Sequence, residues 1–220
     1  SGTASIYPWD QARVLSTTFA GKSDWRLTSI AELNTIAERE AVPAVNATMF
    51  PNSPMSYPFF WSASAIAGSS NLTWIVSSSY GDTLQDDQRN LNFVRLVRAE
   101  RSFDPLALYT PTADFVDNGD GTVIHRKTGL MWKRCAEGLI WSGTICSGSA
   151  AYYDWVTAVA LTSNNAGYND WRLPTANELL TIVEYQAYNP AINTTIFLHN
   201  TPVTSYWSAS GYAHDLHFAL

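Results

Sequence analysis

Charge is scarce in this chain. Asp, Glu, Lys and Arg make up only 15% of its 220 residues, and the 13 basic residues are outnumbered by 19 acids. A net charge of −6 and a pI near 5.1 argue against nucleic acid or an anionic membrane surface as the main partner, since either needs clustered Lys and Arg. Long apolar runs are missing too. None approaches the ~20 residues that a bilayer span requires, so no membrane span is expected. Cysteine is almost absent, and Cys135 and Cys146 alone cannot complete a zinc cluster. With Gly138, Ser142 and Gly143 between them, they read as a disulfide closing a small loop, which implies an oxidising compartment. Two free thiols or half of a metal site are the alternatives. No Ser-His-Asp order, phosphate-cradling glycine loop or His-Glu-x-x-His helix is present, so a non-enzymatic role is expected.

What the chain does have is apolar residues, 46% of the total, which is enough to bury a core. It also has an internal repeat. Asp24-Trp25-Arg26-Leu27 returns as Asp170-Trp171-Arg172-Leu173, and Trp61-Ser62-Ala63-Ser64 returns as Trp207-Ser208-Ala209-Ser210, both 146 positions later. In each copy the two words lie 36 positions apart, Trp to Trp, which is the mark of a duplication. The expected boundaries are a first repeat at 1–98, a connector at 99–113 carrying Pro105 and Pro111, and a second repeat at 114–220.

Within each copy the local signals agree. Thr175 has Glu178 three places on, and Ser29 has Glu32, the spacing of a capping box at a helix start. That favours a capping role for Glu178 over a catalytic acid or metal ligand. Ala176, Leu179, Ile182 and Val183 then recur at helical spacing, as do Ile30, Leu33, Ile36 and Ala37. Pro8 and Trp9 open a short helix through Ala12, and Asp154-Trp155 opens its counterpart. The WSAS words read as strands, as do 72–76 and 93–98, and 77–90 reads as an exposed polar loop. Phe115 to Ile124 reads as strand, tight turn, strand, an opening hairpin that the first copy lacks. The second copy lacks the closing strand that the first has at 93–98. Either the chain is a fragment, or a missing edge of this kind is covered by the other copy or by another subunit, so a homo-oligomer with strand exchange is one expectation. The start at Ser1-Gly2, without Met, is consistent with a leader already removed.

Thr128-Gly129-Leu130-Met131-Trp132, the Cys135/Cys146 loop, Gly167 to Thr175 and Tyr206 to Ser210 together resemble the Legionella collagen-like protein C-terminal domain family, a bacterial domain of unknown function. The likeness covers about residues 115–220 well and 9–98 as a partial copy. Arg172-Leu173-Pro174-Thr175 with Glu178 is also similar to the core of the formylglycine-generating-enzyme family. That resemblance implies a C-type-lectin-like α+β fold, two tandem repeats each with two helices and small antiparallel sheets, and a ligand-facing loop before the last strands. It further implies a secreted, periplasmic or cell-surface protein. Neither the sulfated-polysaccharide binding of the first family nor the cysteine catalysis of the second carries over. The basic residues are too few for the former, and both cysteines sit in the opening loop.

The expected function is therefore a binding or adhesion module for a carbohydrate or protein ligand. An enzyme on the formylglycine-enzyme scaffold and a structural assembly domain are the alternatives. The expected ligand surface is the 77–90 loop with Tyr80, Asp82, Asp86, Asp87 and Arg89, beside Trp74. Six of the nine Trp pair across the copies (9/155, 25/171, 61/207) and read as scaffold rather than sugar contacts. Calcium is the candidate cofactor, at Asp82, Asp86 and Asp87 or at the hairpin turn through Asp117 and Asp120. His214 and His217, with Asp215 between them, form a weaker metal candidate, because residues three apart on a strand face opposite ways.

Overall fold

The structure, a computed structural model, describes residues 4–54, 58–98, 109–197, 205–212 and 215–219, without side chains beyond Gly211. It divides into two compact units, one built on residues 4–98 and the other on 109–211. Both are small mixed α+β assemblies of short helices and small sheets. No helix among the described residues is long and apolar enough to cross a membrane.

The first unit runs β1 (Ile6–Tyr7), α1 (Trp9–Ala12), β2 (Arg26–Leu27), α2 (Ile30–Asn34), β3 (Phe59–Ala65), β4 (Leu72–Ser77), β5 (Thr83–Asp87), β6 (Asn92–Phe93) and β7 (Leu96–Val97). Its main sheet has the order β1-β6-β3-β4-β5, with β3 and β6 parallel and the other pairs antiparallel. β2 pairs separately with β7. β3 and β4 are rich in aromatic and β-branched residues, which suits a half-buried pleated surface. Their register sets Trp61 opposite Ile75. These two pack with Ala12 and Leu27 into the core of the unit, flanked by Tyr7, Trp9 and Val94.

The second unit runs β8 (Phe115–Asp117), β9 (Thr122–His125), β10 (Met131–Lys133), β11 (Leu139–Trp141), β12 (Cys146–Gly148), α3 (Trp155–Val159) and α4 (Ala176–Leu180), after a 3₁₀ turn at Thr112–Asp114; the short strands β13 (Gly211–Tyr212) and β14 (Asp215–Ala219) follow in the chain. β8, β9 and β10 form a three-stranded antiparallel sheet, and β11 pairs with β12. Phe115 and Val123 of that sheet pack on Ile182, Ile196 and Phe197, with Trp132 and Leu179 alongside. The core of this unit therefore lies on the hairpin side, whereas that of the first unit lies on the β3–β4 side.

Both capping boxes form. Ser29 Oγ accepts from the Glu32 amide and Thr175 Oγ1 from the Glu178 amide, each at 3.2 Å, and each carboxylate accepts from the amide of its cap at 2.8 Å. Other bonds recur at the same offset. The indoles of Trp9 and Trp155 donate to the carbonyls of Ser62 and Ser208 at 2.8 and 2.9 Å. Trp61 donates to Tyr7 at 2.7 Å and Trp207 to Tyr153 at 2.8 Å. Trp25 and Trp171 donate to Phe19 and Asn165 at 3.2 and 3.1 Å. Each of the six indole N–H groups thus finds a main-chain acceptor, buried for Trp61 and partly exposed for Trp207, which ties these side chains into the fold.

Some expectations are corrected. The stretch 77–90 is not an open loop. After a tight turn at Ser78–Gly81, Thr83–Asp87 pairs along the full length of β4, because that strand presents an unfilled edge. The closing segment 93–98 is two short strands broken at Val94 and Arg95. The helices after the capping boxes stop at Asn34 and Leu180, well before the periodic residues end. Trp207-Ser208-Ala209-Ser210 is not a strand, unlike its counterpart in β3, for it has no β4-like neighbour among the described residues. His214 lies outside the described residues, as does the connector up to Leu108.

Candidate functional site

The residues expected to bind ligand gather along the outer strand of the first sheet. Trp74 lies half-buried on β4 with Gln85 of β5 opposite. Asp87 accepts from the Arg89 amide at 3.0 Å and from its Nε and Nη2, both at 2.8 Å, and from Asn71 at 3.2 Å. The Arg89 hydrogen bonds hold the Asp87 carboxyl well below the usual carboxylate range. Asp86 accepts from the side-chain amides of Asn90 and Asn92, both at 2.7 Å. These two carboxylates thus fold the 86–92 turn back on itself. Tyr80 and Asp82 belong to the tight turn, where the Tyr80 amide donates to Ser77 Oγ at 3.4 Å and the Asp82 carbonyl accepts from the Ser77 amide at 2.9 Å. Gly81 has φ +78° there, and a Cβ would come within 2.8 Å of Arg39 Cγ.

At the hairpin turn, Asp117 accepts from the Gly119 amide at 2.9 Å and from Arg134 Nη1 at 2.6 Å. Asp120 accepts from the amide and hydroxyl of Thr122 at 3.0 and 2.6 Å. Their carboxylates therefore serve the turn. No group of three His, Cys, Asp or Glu is placed to share a metal among the described residues. Cys135 and Cys146 form a disulfide with Cα atoms 5.5 Å apart, closing the loop that carries β11 and β12.

A concave feature of the first unit lies elsewhere. An open groove of about 590 Å³ runs between the 15–17 loop, the turn at 50–54 and the β6–β7 break. Phe50, Phe60 and Phe93 supply its aromatic wall. The Arg95 guanidinium lies 4.4 Å from the Phe50 ring centre and 5.0 Å from that of Phe60, and donates to Ser53 Oγ at 3.1 Å. Burial lowers the Arg95 pKa from the ordinary guanidinium value, and no carboxylate pairs with Arg95 among the described residues. A cation held between aromatic faces with no counter-ion is poised for a polar or anionic ligand group. Sequence reasoning missed this groove because its walls come from four separated segments.

Two buried or half-buried carboxylates are already occupied. Glu184 accepts from the amides of Thr110 and Gln186 at 2.9 and 3.0 Å and from the Thr110 hydroxyl at 3.0 Å. Glu32 receives the Arg26 fork at 2.8 and 2.6 Å. Burial raises the Glu32 pKa, but the Arg26 and Ser29 hydrogen bonds outweigh it and leave the carboxyl below its ordinary value.

The family comparison agrees with this repeat geometry. The Lcl C-terminal domain family matches residues 3–98 and, a second time, residues 121–220. The chain belongs to the Lcl C-terminal domain family and carries two tandem copies of it. No curated protein matches the sequence.

Proposed function

We propose that the protein is a secreted, periplasmic or cell-surface binding module of C-type-lectin-like fold, and that it holds a glycan or protein ligand in the groove of its first unit. The observation that carries this reading is the groove itself, where three aromatic rings and a guanidinium with no carboxylate partner among the described residues line one open concavity. Aromatic walls with a few fixed polar groups are the usual make-up of a ligand site. The groove is favoured over the β5 edge because Asp86 and Asp87 already serve their own turn. The disulfide suits an oxidising compartment.

The test is thermal unfolding with calcium, then with a panel of neutral and acidic glycans, repeated in Thr17→Trp. Thr17 is an exposed residue of the groove rim, so the larger side chain obstructs the groove without entering the core. A ligand that binds only the folded state raises the midpoint. The expected result is a rise that Thr17→Trp removes. A rise that survives Thr17→Trp but disappears in an Asp86→Ala, Asp87→Ala variant transfers the site to the β5 edge.

A further inference from the structure

The two units can be compared residue by residue, and the second shows what covers a face that no described residue covers in the first. Three contacts seat the β8–β10 sheet in the second unit. Lys133 of β10 donates to Ser163 Oγ at 2.6 Å. Phe115 of β8 meets Phe197 edge-on, with ring centres 5.8 Å apart. Arg134, directly after β10, donates through Nε to the Ile196 carbonyl at 2.9 Å and through Nη2 to the Thr195 carbonyl at 3.1 Å.

Each seat has a counterpart in the first unit. The 146-residue offset carries Ser163 onto Thr17. Beyond the helix the offset becomes 147, and the shared turn fixes it there: the amides of Phe50 and Phe197 donate to the carbonyls of Asn46 and Asn193, both at 2.8 Å. Phe197 then falls on Phe50, Ile196 on Met49 and Thr195 on Thr48. Thr17 and Phe50 are groove residues. Met49 is 71% exposed, where Ile196 under the hairpin is 5% exposed. No donor reaches the carbonyls of Thr48 and Met49 among the described residues. Two walls of the groove are thus the surfaces that, in the second unit, hold a β-hairpin.

We infer that the groove of the first unit is a docking site for a β-hairpin of the β8–β10 kind. This inference rests on the groove being the ligand site and narrows its ligand to protein. The incoming segment has a defined chemistry. It presents an aromatic residue to Phe50, as Phe115 does to Phe197, an ammonium to Thr17, and a guanidinium to the Thr48 and Met49 carbonyls. Main-chain pairing and a few side-chain anchors are the ordinary terms of such recognition.

The experiment uses a peptide with the sequence of residues 113–134, which omits the cysteines, labelled and titrated into the full chain by fluorescence anisotropy. Saturable binding is expected, at least tenfold weaker in Thr17→Trp and absent for a scrambled peptide. Hydrogen exchange in the complex should slow at 50–54 and 93–96. In a second measurement the same segment is joined to the N-terminus through a flexible Gly/Ser linker. Ala4 and Ser5 line the groove, so a short linker reaches it, and tethering supplies a high effective concentration even if the free peptide is poorly ordered. The fused chain should melt at a higher temperature than the parent, and Thr17→Trp should cancel the rise. No rise in the fusion, or protection confined to the second unit, overturns the inference. If glycans still bind at the groove, the binding reading stands without it; if neither hairpin nor glycan binds, both fall.

Discussion

Arg134 Nε meets the main-chain carbonyl of Ile196 at 2.9 Å. The same guanidinium reaches Thr195 and the Asp117 carboxylate and lies 4.9 Å from the Trp141 ring centre. One side chain therefore ties the hairpin sheet, the disulfide loop and the 193–197 turn together. Arg134→Met should leave the buried Ile196 carbonyl without its donor and lower unfolding stability by about 2 kcal/mol, read from urea titration. Arg134→Lys should recover only part of this, because an ammonium cannot make the fork.

The two WSAS tryptophans should respond differently to truncation. Trp61 is 0% exposed and Trp207 is 42% exposed, although both make the same indole bond. Trp61→Ala should cost roughly 3–5 kcal/mol, as expected for emptying a packed site. Trp207→Ala should cost only about 1–2 kcal/mol, mainly its hydrogen bond. Equal losses would contradict the different settings of the two residues.

Acid should act through Glu178. The Arg172 hydrogen bonds, working against burial, bring its pKa down to about 2 from an ordinary 4.5. A depressed carboxyl pKa stabilises the fold above the unfolded value, and that stability is lost as pH falls through the folded one. The melting temperature should therefore fall as pH drops from 4.5 towards 2. Arg172→Met should flatten this dependence, with the wild type and the variant converging at the acid end.

His125 gives a second pH window. Its ring stacks on Phe115 at 4.9 Å, and its Nδ1 contacts Thr128 Oγ1 at 3.0 Å. Burial lowers its pKa below 6.5, with Asp114 opposing and Lys127 reinforcing the shift. As pH falls through 6.5 the unfolded chain takes up a proton that the folded one refuses, so stability declines. In a His125→Asn variant that part of the decline should be absent.

Reducing the Cys135–Cys146 bond should lower stability by roughly 2–3 kcal/mol, since it releases a short closed loop. Unfolding with and without dithiothreitol measures this, with a Cys135→Ser, Cys146→Ser double variant as the control.

Local features were legible in the sequence. The capping boxes need only residues three apart, and the hairpin turn needs only its Asn/Asp/Gly run, so both could be read directly. The role of the paired tryptophans followed from the repeat. The Arg172–Glu178 fork was not legible, for it depends on an extended segment folding back across a helix start. β5 was misread because its polar residues carry no strand pattern of their own; β4 imposes the pairing. The groove was invisible for a related reason, being assembled from the 4–7, 15–17, 50–54 and 93–96 segments. For the same reason, among the described residues WSAS forms a strand only where a partner strand lies beside it.

Gly121 sits so close beneath Trp141 that a Cβ would come within 2.6 Å of the indole. Trp141 ends β11, five residues before Cys146, with which it pairs across the hairpin. Trp141 thereby joins the disulfide loop to the β8–β9 turn. Any side chain at position 121 would lever Trp141 off Arg134 and loosen, from the far end, the clamp on Thr195 and Ile196.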